Sequence, residues 1–194
     1  MSTPLLTVST SPHWLGRTTV RSMHIEWLIA LAPALVMGIY LYGTRALLVV
    51  ALSAAAAVAT EFGCQKVTKQ PVMVGDLHAI LLGLMLGLIM PAGCPLWLPV
   101  VGGFLAIMMG KMLFGGLGAY PMNPVLIAWA ALALSWPEHM QAFFMPGTAE
   151  VSETSLMMLK TDASTLEVVE LGSLWCGGFP SAIGTGSAWA LLLG

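Results

Sequence analysis

The chain has 194 residues, of which 58% are hydrophobic and only 8% charged, with a formal net charge of -2; its mean hydropathy is +0.88. Soluble domains carry about a quarter charged residues, so this composition reads as an integral membrane protein and excludes a water-soluble one. No basic excess is present to hold nucleic acid, which leaves the lipid bilayer, membrane proteins and small cofactors as partners.

Residues 1–20 are polar, with Arg17 near their end and Arg21 just beyond. The basic residues follow a long polar lead and the next apolar run is too long for a secretory signal peptide, so this segment is expected in the cytoplasm. From Ser22 to Tyr42 the sequence is almost continuously apolar, enough to cross a bilayer core of about 30 Å as a helix. Pro33 is expected to kink it. Gly43-Thr-Arg45 then reads as a tight reversal, and Ala46 to Thr60 as an antiparallel return. Its alanine tract, Ala54 to Ala57, offers a smooth face for close helix approach.

A short basic loop with Lys66 and Lys69 leads to two further apolar runs, Asp76 to Met90 and Trp97 to Phe114, joined by the charge-free turn Pro91-Ala-Gly-Cys-Pro95. The segment from Phe114 to Pro124 holds Gly115, Gly116 and Gly118 with Pro121 and Pro124. It cannot continue a helix, and its apolar flanks predict a re-entrant loop lining a site. Val125 to Trp136 follows as a short apolar helix. Residues 138–173 are acidic and hydroxyl-rich, and an apolar segment resumes from about Leu174.

The predicted fold is therefore an all-α membrane bundle of about six transmembrane helices. It comprises residues 1–20 as a cytoplasmic segment, 21–137 as the bundle with the re-entrant loop 114–124, 138–173 as an exterior polar loop, and 174–194 as the start of a second half. Orientation follows the basic residues. With the N-terminus cytoplasmic, Arg17, Arg21, Lys66, Lys69 and Lys111 lie inside, and only Arg45 and Lys160 outside.

Several residues are candidates for chemistry. Asp76 and His78 open the third run, where Asp76 is either a helix N-terminal carboxylate or, with His78, part of a cation path or flavin contact. Lys111 beside the glycine loop is either a snorkelling anchor or the counter-charge for an anionic flavin or phosphate. The backbone N–H groups of Gly115, Gly116 and Gly118 could assist that second role. Asn123 is either a turn former or a hydrogen-bond partner for a ring amide. The Met108, Met109 and Met112 stripe reads as packing rather than copper ligation, and Trp27, Trp97 and Trp136 as interfacial anchors. His13 and His139 have no paired ligand. Cys64, Cys94 and Cys176 form no CxxC pair, so no metal site is expected.

Three stretches together resemble one family: Ser11-Pro-His-Trp-Leu-Gly-Arg-Thr-Thr-Val-Arg-Ser-Met23 with Leu31-Ala-Pro-Ala-Leu35, the loop Lys111 to Pro124, and the turn Gly177 to Ser187. They are similar to the RnfD family, membrane subunits of Rnf ion-translocating electron-transport complexes, related to NqrB of the sodium-pumping NADH:quinone reductase. The resemblance implies a membrane flavoprotein subunit of an ion-coupled ferredoxin:NAD oxidoreductase. It further implies FMN held through a phosphodiester on a threonine in a Ser-Gly-Ala-Thr-Pro-Leu-like motif. The matching stretch here is Val151-Ser-Glu-Thr154-Ser-Leu156, which makes Thr154 the attachment residue and Ser152 its neighbour in the motif. Ser152, Glu153 and Ser155 stand where the family has glycine, alanine and proline; Thr148, Thr161 and Thr165 are nearby alternatives. The resemblance also implies a flavin transferase and the other Rnf subunits as partners. It allows a second, non-covalent flavin or riboflavin near Lys111, and it implies further helices beyond the point that matches residue 194. A reading from another class is half of a small secondary transporter, with Gly115 to Pro124 and Gly177 to Ser187 as paired broken segments. A third is a flavin-free structural remnant.

Overall fold

A computed structural model describes residues 19–69, 74–148, 152, 157, 160 and 171–194. The described elements are helical: α1 (Val20–Val67), a 3-10 turn (Val74–Asp76), α2 (His78–Ile89), α3 (Trp97–Met108), a second 3-10 turn (Met112–Phe114), α4 (Pro124–Ser135), α5 (Pro137–Met140), α6 (Leu171–Cys176) and α7 (Ala188–Leu193). Val20–Val67 and the stretch Trp97–Phe114 are long and apolar enough to cross a membrane.

Helix α1 begins at a capping box. Ser22 N donates to Thr19 Oγ1, and Thr19 N to Ser22 Oγ, which satisfies donors the first helical turn leaves free. The 48 residues of α1 are two limbs joined at Gly43, whose φ of 66° and ψ of -149° interrupt the helix. The limbs run in opposite directions along α2. On the first, His24 meets the start of α2 and Gly38 meets Ile183, which binds its end. On the second the order is reversed: Arg45 reaches Ala92 and Cys94, Val50 abuts Gly87, and Ala54 abuts Gly83. The reversal expected at Gly43-Thr-Arg45 is present and rests on one glycine. Gly43→Ala has free space for its Cβ, so its cost is backbone strain alone, about 1–3 kcal/mol, readable as a lowered thermal midpoint in detergent. Pro33, by contrast, causes no departure from helical φ/ψ. The chain reversal is made at Gly43, where a residue without Cβ permits positive φ.

The second limb is the centre of the bundle. A Cβ placed on Gly83 would lie 2.5 Å from Ala54 Cα, and one on Gly103 would lie 2.7 Å from Ser53 O and 3.0 Å from Ala56 Cβ. Glycines on α2 and α3 thus meet the alanine tract backbone to backbone, which is how helices gain contact area where the surrounding lipid is as apolar as their side chains. Ser53 Oγ donates to Gly83 O at 2.8 Å across the same contact. Around it Leu86, Leu98, Ile107 and Leu132 are fully buried. Two limbs, α2, α3 and α4 make five alternating passes among the described residues. The 12-residue helices α2, α3 and α4 are each about 18 Å long at 1.5 Å per residue.

Beyond the polar segment, the turn 177–187 closes one end of the bundle. Ile183 N donates to Met90 O at 3.1 Å and Gly184 N to Leu88 O at 2.7 Å, so this turn satisfies carbonyls that the C-terminus of α2 leaves unpaired. Tyr42 Oη donates to Ser181 O at 3.0 Å beside it. Helix α7 then returns along the first limb, with Ala190 and Gly194 near Ala30 and Ala34.

Candidate functional site

The passes sort the polar residues onto two ends. Glu61, at the end of the second limb, meets Lys111 just after α3, with Nζ donating to Oε1 at 2.6 Å; the side chains are 4% (Lys111) and 3% (Glu61) exposed. Gln65 Nε2 donates to the same oxygen at 3.0 Å. Lys111 is therefore neither a snorkelling cation nor an open one: its charge is already balanced inside the chain. Sequence reasoning does not single out Glu61 as a partner. The available signal is an acid at the end of an apolar run, which marks a functional or paired group by default.

The glycine loop hangs from Lys111. Gly115, Gly116 and Gly118 have φ of 100°, 107° and 84°, values that favour glycine. Their amides do not form an open cradle, because Gly115 N donates to Met112 O and Gly116 N to Lys111 O, closing the turn on itself. From Leu113 to Asn123 the loop is exposed or half-buried, and its residues Tyr120 to Pro124 line a cavity. Asn123 caps α4, its Oδ1 accepting from Val125 N at 2.9 Å, which favours the turn-forming role.

Beside the loop is a cavity of about 370 Å³ lined by His24, Trp27, His78, Tyr120, Met85 and Asn123. His24 Nδ1 lies 2.6 Å from Asp76 O, so that nitrogen carries the proton and donates. Asp76 is thereby used through its backbone. Helix α2 starts at Leu77 without a side-chain cap, so Asp76 does not serve as its N-terminal cap. The His24 and His78 rings are 4.9 Å apart, and Tyr120 Oη is 3.3 Å from His78 Nε2. His78 Nδ1 is buried without a hydrogen-bond partner, a costly state for a polar atom. Nothing in the sequence joins His24 and Tyr120 to His78, since the cluster draws on three separate elements. The residues suit an uncharged aromatic ring with polar edges better than a phosphate. The local cation is engaged by Glu61, and two of the three glycine amides are bonded within the turn.

At the opposite end Arg45 Nε donates to Ala92 O at 3.1 Å and Nη2 to Cys94 O at 3.3 Å, while Phe144 lies under the guanidinium at 5.5 Å. Ser152 N donates to Phe143 O at 2.9 Å, so Ser152 belongs to this end. Thr154 lies outside the described residues. The structure thus brings Lys111, Gly115, Gly116, Gly118 and Asn123 together and sets Ser152 apart from them, along the length of α2. Trp97 and Trp136 stack edge-on at 5.2 Å at the Arg45 end, with His139 against Trp97 at 5.9 Å. The three cysteines are free and far apart in the chain; Cys64 Sγ approaches Met108 Sδ at 3.6 Å, and among the described residues no group of three His, Cys, Asp or Glu could hold a metal.

This is the architecture of a polytopic, all-α membrane protein with a buried polar cluster at one end and an arginine-anchored turn at the other. The chain belongs to the NQR2, RnfD, RnfE family, whose sequence profile matches residues 7–194. It is 39% identical to the D subunit of the Na(+)-translocating ferredoxin:NAD(+) oxidoreductase complex of Acetobacterium woodii, over 97% of this chain and 60% of the relative. It is 35% identical to the D subunit of the ion-translocating oxidoreductase complex of Methanosarcina acetivorans, over 82% of this chain and 54% of that protein. With the D subunit of the proton-translocating ferredoxin:NAD(+) oxidoreductase complex of Clostridium ljungdahlii it shares 38% identity over 69% of this chain and 40% of the relative. The chain therefore spans roughly half the length of the curated relatives it matches.

Proposed function

We propose that this chain is the membrane-embedded portion of a D-type subunit in an ion-translocating ferredoxin:NAD oxidoreductase complex, and that it carries FMN as a phosphodiester on Thr154. The observation that carries this reading is the match to the D subunits of such complexes over nearly the whole chain. The partners are then the other subunits of an Rnf complex, a flavin transferase and the bilayer. When bound, FMN supplies one-electron chemistry, and the protein supplies position and electrostatics.

The arrangement of charge supports an inner-membrane topology with the N-terminus in the cytoplasm and residues 138–173 outside. Glu61 and Lys111 share the His24 end, and Lys66 closes α1 there, whereas Arg45 is at the other end with Ser152. Basic residues concentrate on the cytoplasmic side of membrane proteins. An attachment threonine just after Ser152 then belongs to the exterior, where a transferase can reach a hydroxyl. The cavity between His24, His78 and Tyr120 would suit a second, non-covalent flavin ring, and riboflavin fits its chemistry better than FMN because among the described residues no lysine or arginine lines it.

The test is to co-produce the chain with a flavin transferase, denature it, and look for in-gel flavin fluorescence. Thr154→Ala is expected to remove that fluorescence, and mass spectrometry of the wild-type peptide to show the adduct on Thr154. Fluorescence that survives Thr154→Ala would move the site to another threonine, and its absence from the wild type would defeat the covalent reading.

A further inference from the structure

The outer edge of the Arg45 guanidinium is the feature that neither the bundle's packing nor the proposed flavin attachment accounts for. With Lys160, Arg45 is one of the two cations that the positive-inside pattern leaves on the opposite side from Lys66 and Lys111. Among the described residues no carboxylate pairs with it. It is nevertheless held in one place: Nε and Nη2 donate to the carbonyls of Ala92 and Cys94, and the Phe144 ring lies against the guanidinium. Two backbone acceptors use one edge of the planar group. The N–H groups of Nη1 and the second N–H of Nη2 have no acceptor among the described residues, although the residue is exposed. A guanidinium fixed in this way presents two roughly parallel donors at the spacing of two phosphate oxygens, which a lysine cannot do.

Depth identifies the chemistry further. Trp97 follows closely on Cys94, and Trp97, Trp136 and His139 form an aromatic cluster at this end. Partly exposed tryptophans with such a cluster occupy the headgroup level of a bilayer. Ser152 is also tied here, to Phe143, the neighbour of Phe144.

We infer that the free edge of Arg45 is a binding site for a phosphodiester monoanion. Two sources carry that group at this level: a phospholipid headgroup, and a flavin phosphodiester on the segment that follows Ser152, the second of which rests on the proposed attachment at Thr154. The chemistry recognised is the same, and experiment separates the sources.

The test uses the membrane complex that contains this chain, purified in mild detergent with added phosphatidylglycerol. Native mass spectrometry counts retained phospholipid, and 31P NMR reads the flavin diester. Arg45→Gln is expected either to lower phosphatidylglycerol retention several-fold at one site, which assigns a lipid, or to shift the flavin 31P resonance, which assigns the flavin. Arg45→Lys keeps the charge without the fork and is expected to give part of the same change, so it decides the matter if Arg45→Gln fails to fold. In Thr154→Ala, a gain of one bound lipid that Arg45→Gln abolishes would show that a flavin diester had occupied the site. A complex with no flavin phosphorus signal would sink the covalent-flavin proposal and leave the lipid arm to decide this one. If both Arg45 variants retain lipid as the wild type does and leave the flavin resonance in place, the inference is overturned.

Discussion

Glu61→Ala is expected to destabilise the chain by about 3–5 kcal/mol, the usual penalty for leaving one member of a buried ion pair without the other. Lys111 is held against Glu61 at 2.6 Å with both side chains almost wholly buried. Removing the acid strands an ammonium that only a local rearrangement could solvate. Lys111→Ala is expected to cost a similar amount, because the carboxylate then keeps the Gln65 amide but loses its counter-charge. The double substitution Glu61→Leu with Lys111→Met should recover most of the loss, since an apolar pair of similar volume needs no compensation. A double-mutant cycle on thermal or denaturant unfolding in detergent checks this. Single-mutant losses under about 1 kcal/mol, the range of a solvated surface pair, would show that water reaches the site. The substitutions should also loosen the glycine loop, because Lys111 O accepts from Gly116 N and its side chain ties the loop's origin to α1.

Gly83→Val is expected to be clearly destabilising as well. Its Cβ would lie 2.5 Å from Ala54 Cα and 2.8 Å from Ser53 O, and backbone atoms cannot yield as a flexible side chain can. Overpacking typically costs about 1–3 kcal/mol; here helices α1 and α2 must separate, which also lengthens the Ser53 to Gly83 hydrogen bond. Gly83→Ala should show a smaller loss in the same direction. Gly63→Ala is the control, because nothing lies within 4 Å of its Cβ. Comparable stability of Gly83→Val and Gly63→Ala in a detergent melt would refute the close-packing account.

Much of the architecture is legible in the sequence. Long apolar runs separated by glycine and proline mark the passes and their reversals, because a membrane leaves a chain few ways to satisfy its backbone other than a helix. The turn at Gly43 and the alanine tract as a close-approach face both appear where the residues suggest them. The Lys111 to Pro124 and Gly177 to Ser187 stretches point to the family without any knowledge of the fold. At three places the local signal says less than the surroundings: the helix through Pro33 departs from helical φ/ψ only at Gly43, α2 starts at Leu77 without a side-chain cap, and two of the three glycine amides bond within their own turn.

The sequence by itself therefore determined the class of protein, the order of its passes and the family, since hydropathy, turn residues and short motifs are properties of neighbours in the chain. Only the tertiary structure decided which polar groups meet. Glu61 and Lys111, His24 and His78, and Arg45 and the Ala92 and Cys94 carbonyls lie on different passes. Their pairing depends on which helix faces approach and at what height. That is set by contacts of Gly83, Gly87 and Gly103 with the second limb of α1, where the fit of backbone against backbone fixes the register and no residue's own character reveals its partner.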